Sequence, residues 1–165
     1  KKDVLLKCKE ITERAKNLDL FKYNLEQFLD LGVKDRNELI EELNESVIQK
    51  MLKINGISLS TTTKILHTLY PKIIPMIDNP LQDKYKKIIS KSWTKKQADE
   101  ILTDFYNNLK IESNRKNLNI ILDEISRNNL INLSRIRIFD ILWWSYLKAE
   151  KLRKKHRINW NTIRY

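Results

Sequence analysis

The sequence predicts an all-α protein, a compact bundle of eight or nine short helices, and three observations carry that reading. Glycine and proline are scarce, at two and three among 165 residues. A sandwich or barrel would need a turn signal about every ten residues. Hydrophobic residues make up 41% of the chain, enough to fill an interior. They also recur at three- and four-residue spacing, with charges between them, over most of the length.

Val4, Leu5, Cys8, Ile11, Ala15 and Leu18 form one helical stripe across residues 3–18. A second stripe, Leu20, Phe21, Leu25, Phe28 and Leu29, predicts a helix over 20–31 that Gly32 stops as a C′ glycine. Asp35 and Glu38 read as a capping box opening a helix through Leu39, Ile40 and Leu43. A short helix follows from Val47 to Ile54. Gly56 interrupts the pattern, and Ser58 or Ser60 caps the next helix, which ends at Tyr70 ahead of Pro71. Pro71 and Pro75 bracket an extended connection. Asp78-Asn79-Pro80 reads as an N-cap with a first-turn proline, opening a helix over 81–89. Thr94 and Gln97 make another capping box, for a helix through Ile101, Leu102, Phe105 and Leu109, and residues 114–125 support one more. The last helix starts near Leu133-Ser134. Its run from Ile136 to Leu147, including Phe139, Trp143 and Trp144, is apolar nearly all round, which places it at the centre of the core. No repeat or linker divides residues 1–165, so a single domain is expected.

Several function classes drop out. Cys8 is the one cysteine, which excludes a disulfide framework and a cysteine-ligated cluster within the chain. His67 and His156 are too far apart in sequence for a metal-ligand spacing, so neither metal nor cofactor is expected. No apolar run reaches the roughly 18 residues of a membrane span, so no membrane partner and an intracellular, cytoplasmic setting are expected. The chain begins with Lys1 rather than Met, which is compatible with residues upstream.

The formal net charge is +11, and it is unevenly spread. Residues 135–165 hold nine Lys and Arg against Asp140 and Glu150, a net +7. Arg153, Lys154, Lys155 and Arg157 are the densest part, with Trp160 and Tyr165 nearby as groups able to stack on bases. A basic cluster suits an acidic partner, and nucleic acid is the commonest; a solvated helix end meeting its own dipole is the plainer alternative.

The most informative segment is Lys53-Ile54-Asn55-Gly56-Ile57-Ser58-Leu59-Ser60-Thr61-Thr62. It reads as a helix, a tight glycine turn and a second helix whose opening is crowded with hydroxyls. Such a turn directs unpaired N–H groups outward at a helix N-terminus, where a phosphate oxygen meets both donors and dipole. Ser60, Thr61 and Thr62 offer side-chain donors. An ordinary serine-capped helix–helix turn is the alternative. Eighteen residues after Ser60, beyond one helix and the stretch Ile73-Ile74-Pro75-Met76-Ile77, comes Asp78.

On these residues the chain resembles the endonuclease III-like superfamily of helix-hairpin-helix DNA glycosylases, over residues 47–90 and with the hairpin motif at 47–70. Their hairpin reads approximately Leu-Pro-Gly-Val-Gly, against Ile54-Asn55-Gly56-Ile57-Ser58 here. The resemblance implies that Asn55, Gly56, Ile57 and Ser58 hold a duplex DNA backbone, with Ser60 and Thr61 beside them. It implies that Asp78 stabilises positive charge on the sugar, or activates water, as a flipped base departs. Lyase-type members carry a lysine where this chain has Ser60, so the resemblance implies a monofunctional enzyme; Lys64, one turn on, is expected to point elsewhere. The second hairpin glycine is replaced by Ser58. His67, Tyr70, Trp93 and Tyr106 are the base-pocket candidates by chemistry.

The bland readings stand beside these. Asp78 is equally a helix cap, Asp140 reads as a buried carboxylate paired with Arg135 or Arg137, and Trp143 and Trp144 read as core. His67 reads as a satisfied, partly buried histidine and Cys8 as a small core residue. A non-catalytic module binding nucleic acid or protein is the alternative function, and a purely structural helical protein is a third.

Overall fold

The computed structural model describes residues 2–83, 98–128 and 133–156. Helix α1 (Lys2–Ala15) leads through a 3-10 turn (Asp19–Lys22) into α2 (Leu25–Asp30) and α3 (Val33–Leu43). A π turn (Asn44–Ile48) joins α3 to α4 (Gln49–Leu52); then come α5 (Leu59–Leu69), a helical segment at 79–83, α6 (Ala98–Lys110), α7 (Glu112–Arg127) and α8 (Arg135–His156). Among the described residues there is no strand, so the all-α class is as expected. The helix expected over 81–89 lies outside the described residues beyond residue 83, as do the Thr94–Gln97 box and Trp93.

The stripe expected as one helix over 20–31 is broken. Tyr23 and Asn24 are extended, and Asn24 caps α2 in a capping box: Gln27 N donates to Asn24 Oδ1, and Asn24 N to Gln27 Oε1, both at 2.9 Å. Gly32 is not a left-handed stop either. Its φ is −56° and it is the N-cap of α3. The carbonyls at the end of α2 are met instead by Arg36, which is buried and donates to Leu29 O (3.1 Å) and Leu31 O (2.7 Å). A buried guanidinium thus does what a Schellman turn would otherwise do. Asp35 lies in the first turn of α3 rather than at its cap, and Glu38 faces Lys34 at 3.8 Å instead of closing a box.

The two helices expected over 35–43 and 47–54 are continuous. Nothing between them breaks helical backbone, and the chain inserts one extra residue at the π turn, where Gln49 N donates to Asn44 O. Val47 and Ile48 of the turn and Met51 and Leu52 of α4 are all buried in the core. The core is centred on Phe28, Leu43, Met51, Leu66, Ile77, Phe105 and Tyr106, with Phe28 edge-on to Tyr106 (centroids 4.8 Å apart, 69°). Cys8 is buried in it, as expected. Glu26 of α2 receives both Arg115 of α7 and Arg135 of α8, joining three helices through one carboxylate.

Helix α8 starts where expected. Ser134 caps it, accepting from Arg137 N at 3.2 Å. It is not central, however. Ile136, Ile138 and Leu147 are buried, and Phe139 and Trp143 pack on Phe105, but Leu142, Trp144 and Tyr146 are exposed. Packing on α6 and α7 covers one side of a helix that is apolar on more than one. Trp144 therefore carries Lys148 over its ring, 4.4 Å from the centroid, rather than core neighbours on all sides.

Candidate functional site

Ile54 N donates to Met51 O and Ile57 N to Ile54 O, which closes the turn after α4. Between them Gly56 has φ +84°, the left-handed region that glycine enters without penalty. The turn is exposed at Asn55, Gly56 and Ser58, and a Cβ built on Gly56 meets no heavy atom within 4 Å. Of the four turn residues, Ile57 spends its amide inside the turn and packs its side chain on the core. It is therefore not the backbone donor the resemblance implied; the amides of Asn55, Gly56 and Ser58 have no partner in the turn.

The hydroxyls after the turn are mostly committed. Ser58 caps α5 by accepting from Thr61 N at 3.1 Å, and its Oγ lies 3.0 Å from Thr61 Oγ1. Thr62 is buried and donates to Ser58 O. Ser60 alone of the expected hydroxyl donors has no hydroxyl bond to the chain, and it is half-buried. Residue types that cap well are consumed by capping.

Cations the sequence reading passed over lie beside the turn. Lys50 of α4 and Lys53, its C-cap, line a groove of about 490 Å³ together with Asn55 and with Asp3, Lys7 and Glu10 of α1. The Lys50-x-x-Lys53 spacing directly before the glycine turn was the available signal.

Asp78 is positioned by an extended segment that has no sheet to pair with. Ile73 N and Ile74 N donate to Tyr70 O, and several of its other backbone groups are met by side chains. Ser134 Oγ donates to Pro71 O (2.7 Å), Tyr106 Oη to Ile73 O, and Gln82 Nε2 to Ile77 O (3.2 Å). His67 Nδ1 lies 2.6 Å from Ile74 O. Ile77 N donates to Thr63 Oγ1 at 3.0 Å, fastening the residue before Asp78 to α5, the helix that the glycine turn opens. Asp78 itself is half-buried, and Leu81 N donates to its Oδ1 at 3.4 Å, a long capping bond.

Burial raises the Asp78 carboxyl above its ordinary value; the Leu81 amide and the charges of Lys64 and Arg137 oppose that rise. Asp140 pairs with Arg137, whereas Arg135 goes to Glu26. Burial pushes Asp140 up to about 6, aided by the Asp78 charge and opposed by Arg137.

The sign for stability follows. Folded Asp140 keeps a proton between its ordinary 3.8 and about 6, where the unfolded chain has lost it, so its contribution declines as pH rises through that window. Urea denaturation at about pH 4 and about pH 6.5 should show a smaller decline for Asp140→Asn than for wild type. Parallel profiles would refute the assignment.

Arg153 is exposed on α8, sixteen residues beyond Arg137 and so about 24 Å along the helix axis from it. Lys154 and Lys155 fall on α8, whose described side chains end before them; Arg157, Trp160 and Tyr165 lie outside the described residues. Two cations counted in the basic segment are paired within the chain, Arg137 with Asp140 and Arg135 with Glu26, a carboxylate that Arg115 shares. Of the base-pocket candidates, Tyr106 is fully buried, Tyr70 stacks on Phe21 (3.6 Å, 9°), and His67 lies against Ile74 O. Trp93 is outside the described residues. Among the described residues no His, Cys, Asp and Glu cluster is arranged to hold a metal ion, and no helix is long and apolar enough to cross a membrane. No family model, curated protein or solved structure matches the chain.

Proposed function

We propose that this chain binds duplex DNA through the Gly56 hairpin and that Asp78 is the carboxylate of a monofunctional N-glycosidic hydrolysis, removing a damaged or mismatched base with water. The observation that carries the reading is the coupling of two features through one helix. An exposed left-handed glycine turn opens α5, and Thr63 of α5 bonds the backbone directly ahead of a half-buried aspartate. Amides at the turn suit a phosphate oxygen, with Lys50 and Lys53 adding positive charge alongside. A partly desolvated carboxylate suits an oxocarbenium-like transition state. The alternative, a binding module without catalysis, is favoured by one contact, the Leu81 cap on Asp78, which gives that residue structural work of its own.

Binding is tested first. Affinity for a duplex should fall steeply between about 50 and 200 mM salt as phosphates are neutralised and counterions released. Gly56→Ala places a methyl where nothing in the protein stands, so its folding cost is the left-handed backbone alone, about 1–2 kcal/mol. A strand lying on the turn would meet that methyl, so duplex affinity should drop in a variant that remains folded. Flat salt dependence, or unchanged affinity in Gly56→Ala, counts against the interface.

A further inference from the structure

A cleft of about 370 Å³ lies between α6, α7 and α8, and neither the Gly56 turn nor Asp78 lines it. Part of its lining is aromatic. Phe139, Trp143 and Tyr146 follow one another on α8 at four- and three-residue spacing, so they share a face. The core holds two of these rings from behind: Trp143 stacks on buried Phe105 (5.8 Å, 9°), and Phe139 stands edge-on to both (5.1 and 5.3 Å). The polar part of the lining is carboxamide, from Asn108 of α6 and Asn114 and Asn117 of α7. Two of these amides are fixed as well. Asn108 Nδ2 donates to Asp104 O at 2.8 Å, and Asn114 Nδ2 donates to Asn108 O at 2.7 Å. Their Oδ1 atoms, and the whole Asn117 amide, have no partner among the described residues. No charged side chain lines the cleft.

Such a lining suits a flat, uncharged ring with N–H donors at its edge: the aromatic side chains stack, and the amide oxygens accept. The residues that follow on α8 point to what carries that ring. Lys148, Lys151 and Arg153 are all exposed, with Glu150 the one acidic residue among them. Arg153 comes seven residues after Tyr146, on the same face and about 10 Å along the axis. A neutral stacking cleft that runs into a row of cations matches a base on its phosphate backbone. In a duplex both the base's face and its pairing edge are occupied, so the matching base is an unpaired one. We propose that this cleft holds one unpaired nucleobase bearing an exocyclic amine, such as cytosine or adenine, in a single strand whose phosphates follow the cations of α8. This goes beyond the hairpin reading and does not rest on it. An aromatic residue of a peptide, or of a second copy of the chain, would stack on the same rings but leave the amide oxygens without a donor.

The test is binding of the full chain to single strands of about ten nucleotides: oligo-dC, oligo-dT, and an abasic strand with the same phosphates. Oligo-dC should bind more tightly than oligo-dT, which presents a carbonyl where cytosine presents its amine, and the abasic strand should bind most weakly. The side-chain amide signals of Asn108, Asn114 and Asn117 in a ¹H–¹⁵N spectrum should shift as oligo-dC is added. Tyr146 is 65% exposed, so Tyr146→Ala should fold, as checked by thermal unfolding. It should weaken oligo-dC by about 5–150-fold, the loss of one stacked base, and leave the abasic strand unchanged. Arg153→Gln should weaken all three strands and reduce the salt slope by about 0.7. The proposal is overturned if oligo-dT or the abasic strand binds as tightly as oligo-dC, or if Tyr146→Ala weakens the abasic strand equally. It is overturned too if the three asparagine signals stay still, or if the cleft closes in a dimer that Tyr146→Ala dissociates.

Discussion

Asp78→Asn should abolish base excision while leaving the protein folded. Asparagine caps a helix as well as aspartate does, and its amide oxygen can still accept from Leu81 N. The substitution therefore separates the two roles that compete for this residue: capping survives and the negative charge does not. Loss of a charged group acting on the transition state should reduce the rate by about 10²–10⁴-fold. The measurement is abasic-site formation, read as alkali-labile strand breaks, in duplexes carrying uracil, 8-oxoguanine, alkylated bases or mismatches. On the proposed monofunctional reading, in which the resemblance sets Ser60 at the position of the lyase lysine, borohydride should trap no covalent adduct. Unchanged excision in Asp78→Asn removes the residue from the mechanism, and no excision by wild type on any of these duplexes favours the binding module.

The largest stability effect is expected at Phe28→Ala. Phe28 is fully buried on α2, a helix of six residues that has little stability of its own. Its ring fills the space against Tyr106, whose hydroxyl in turn holds Ile73 O at the start of the segment leading to Asp78. Truncation leaves a cavity that the surrounding helices close only in part, at a cost of about 3–5 kcal/mol. For a chain of this size that corresponds to a fall in Tm of about 10 °C, measurable by calorimetry. A loss below about 1 kcal/mol would mean that the site collapses freely and that Tyr106 is held by other contacts.

Where the physics is local, the sequence was legible. The Ser58 cap, the tight turn at Gly56, the start of the last helix near Ser134 and the helix end before Pro71 each depend on a few neighbouring residues. The misreadings share a cause. Gly32 reads as a helix stop because glycine usually is one, but Arg36, folded back from α3, had already taken up the α2 carbonyls. The stripe from Leu20 to Leu29 reads as one helix because the Asn24–Gln27 box sits unseen inside it. Hydroxyls after Gly56 read as donors to a ligand, but the first use of such a hydroxyl is its own helix end.

From the sequence alone came the all-helical class, the glycine turn, and the presence of a carboxylate at residue 78 one helix after it. Periodicity, caps and backbone permissiveness act over a handful of residues, so they can be read in order along the chain. What surrounds that carboxylate was decided by the tertiary structure. Arg137 reaches Met76 across 61 positions, Ser134 reaches Pro71 across 63, and Arg135 is drawn away to Glu26 across 109. Which of two neighbouring arginines pairs with Glu26 and which with Asp140 depends on how helices far apart in sequence pack together. Charge counted along the chain does not record that pairing.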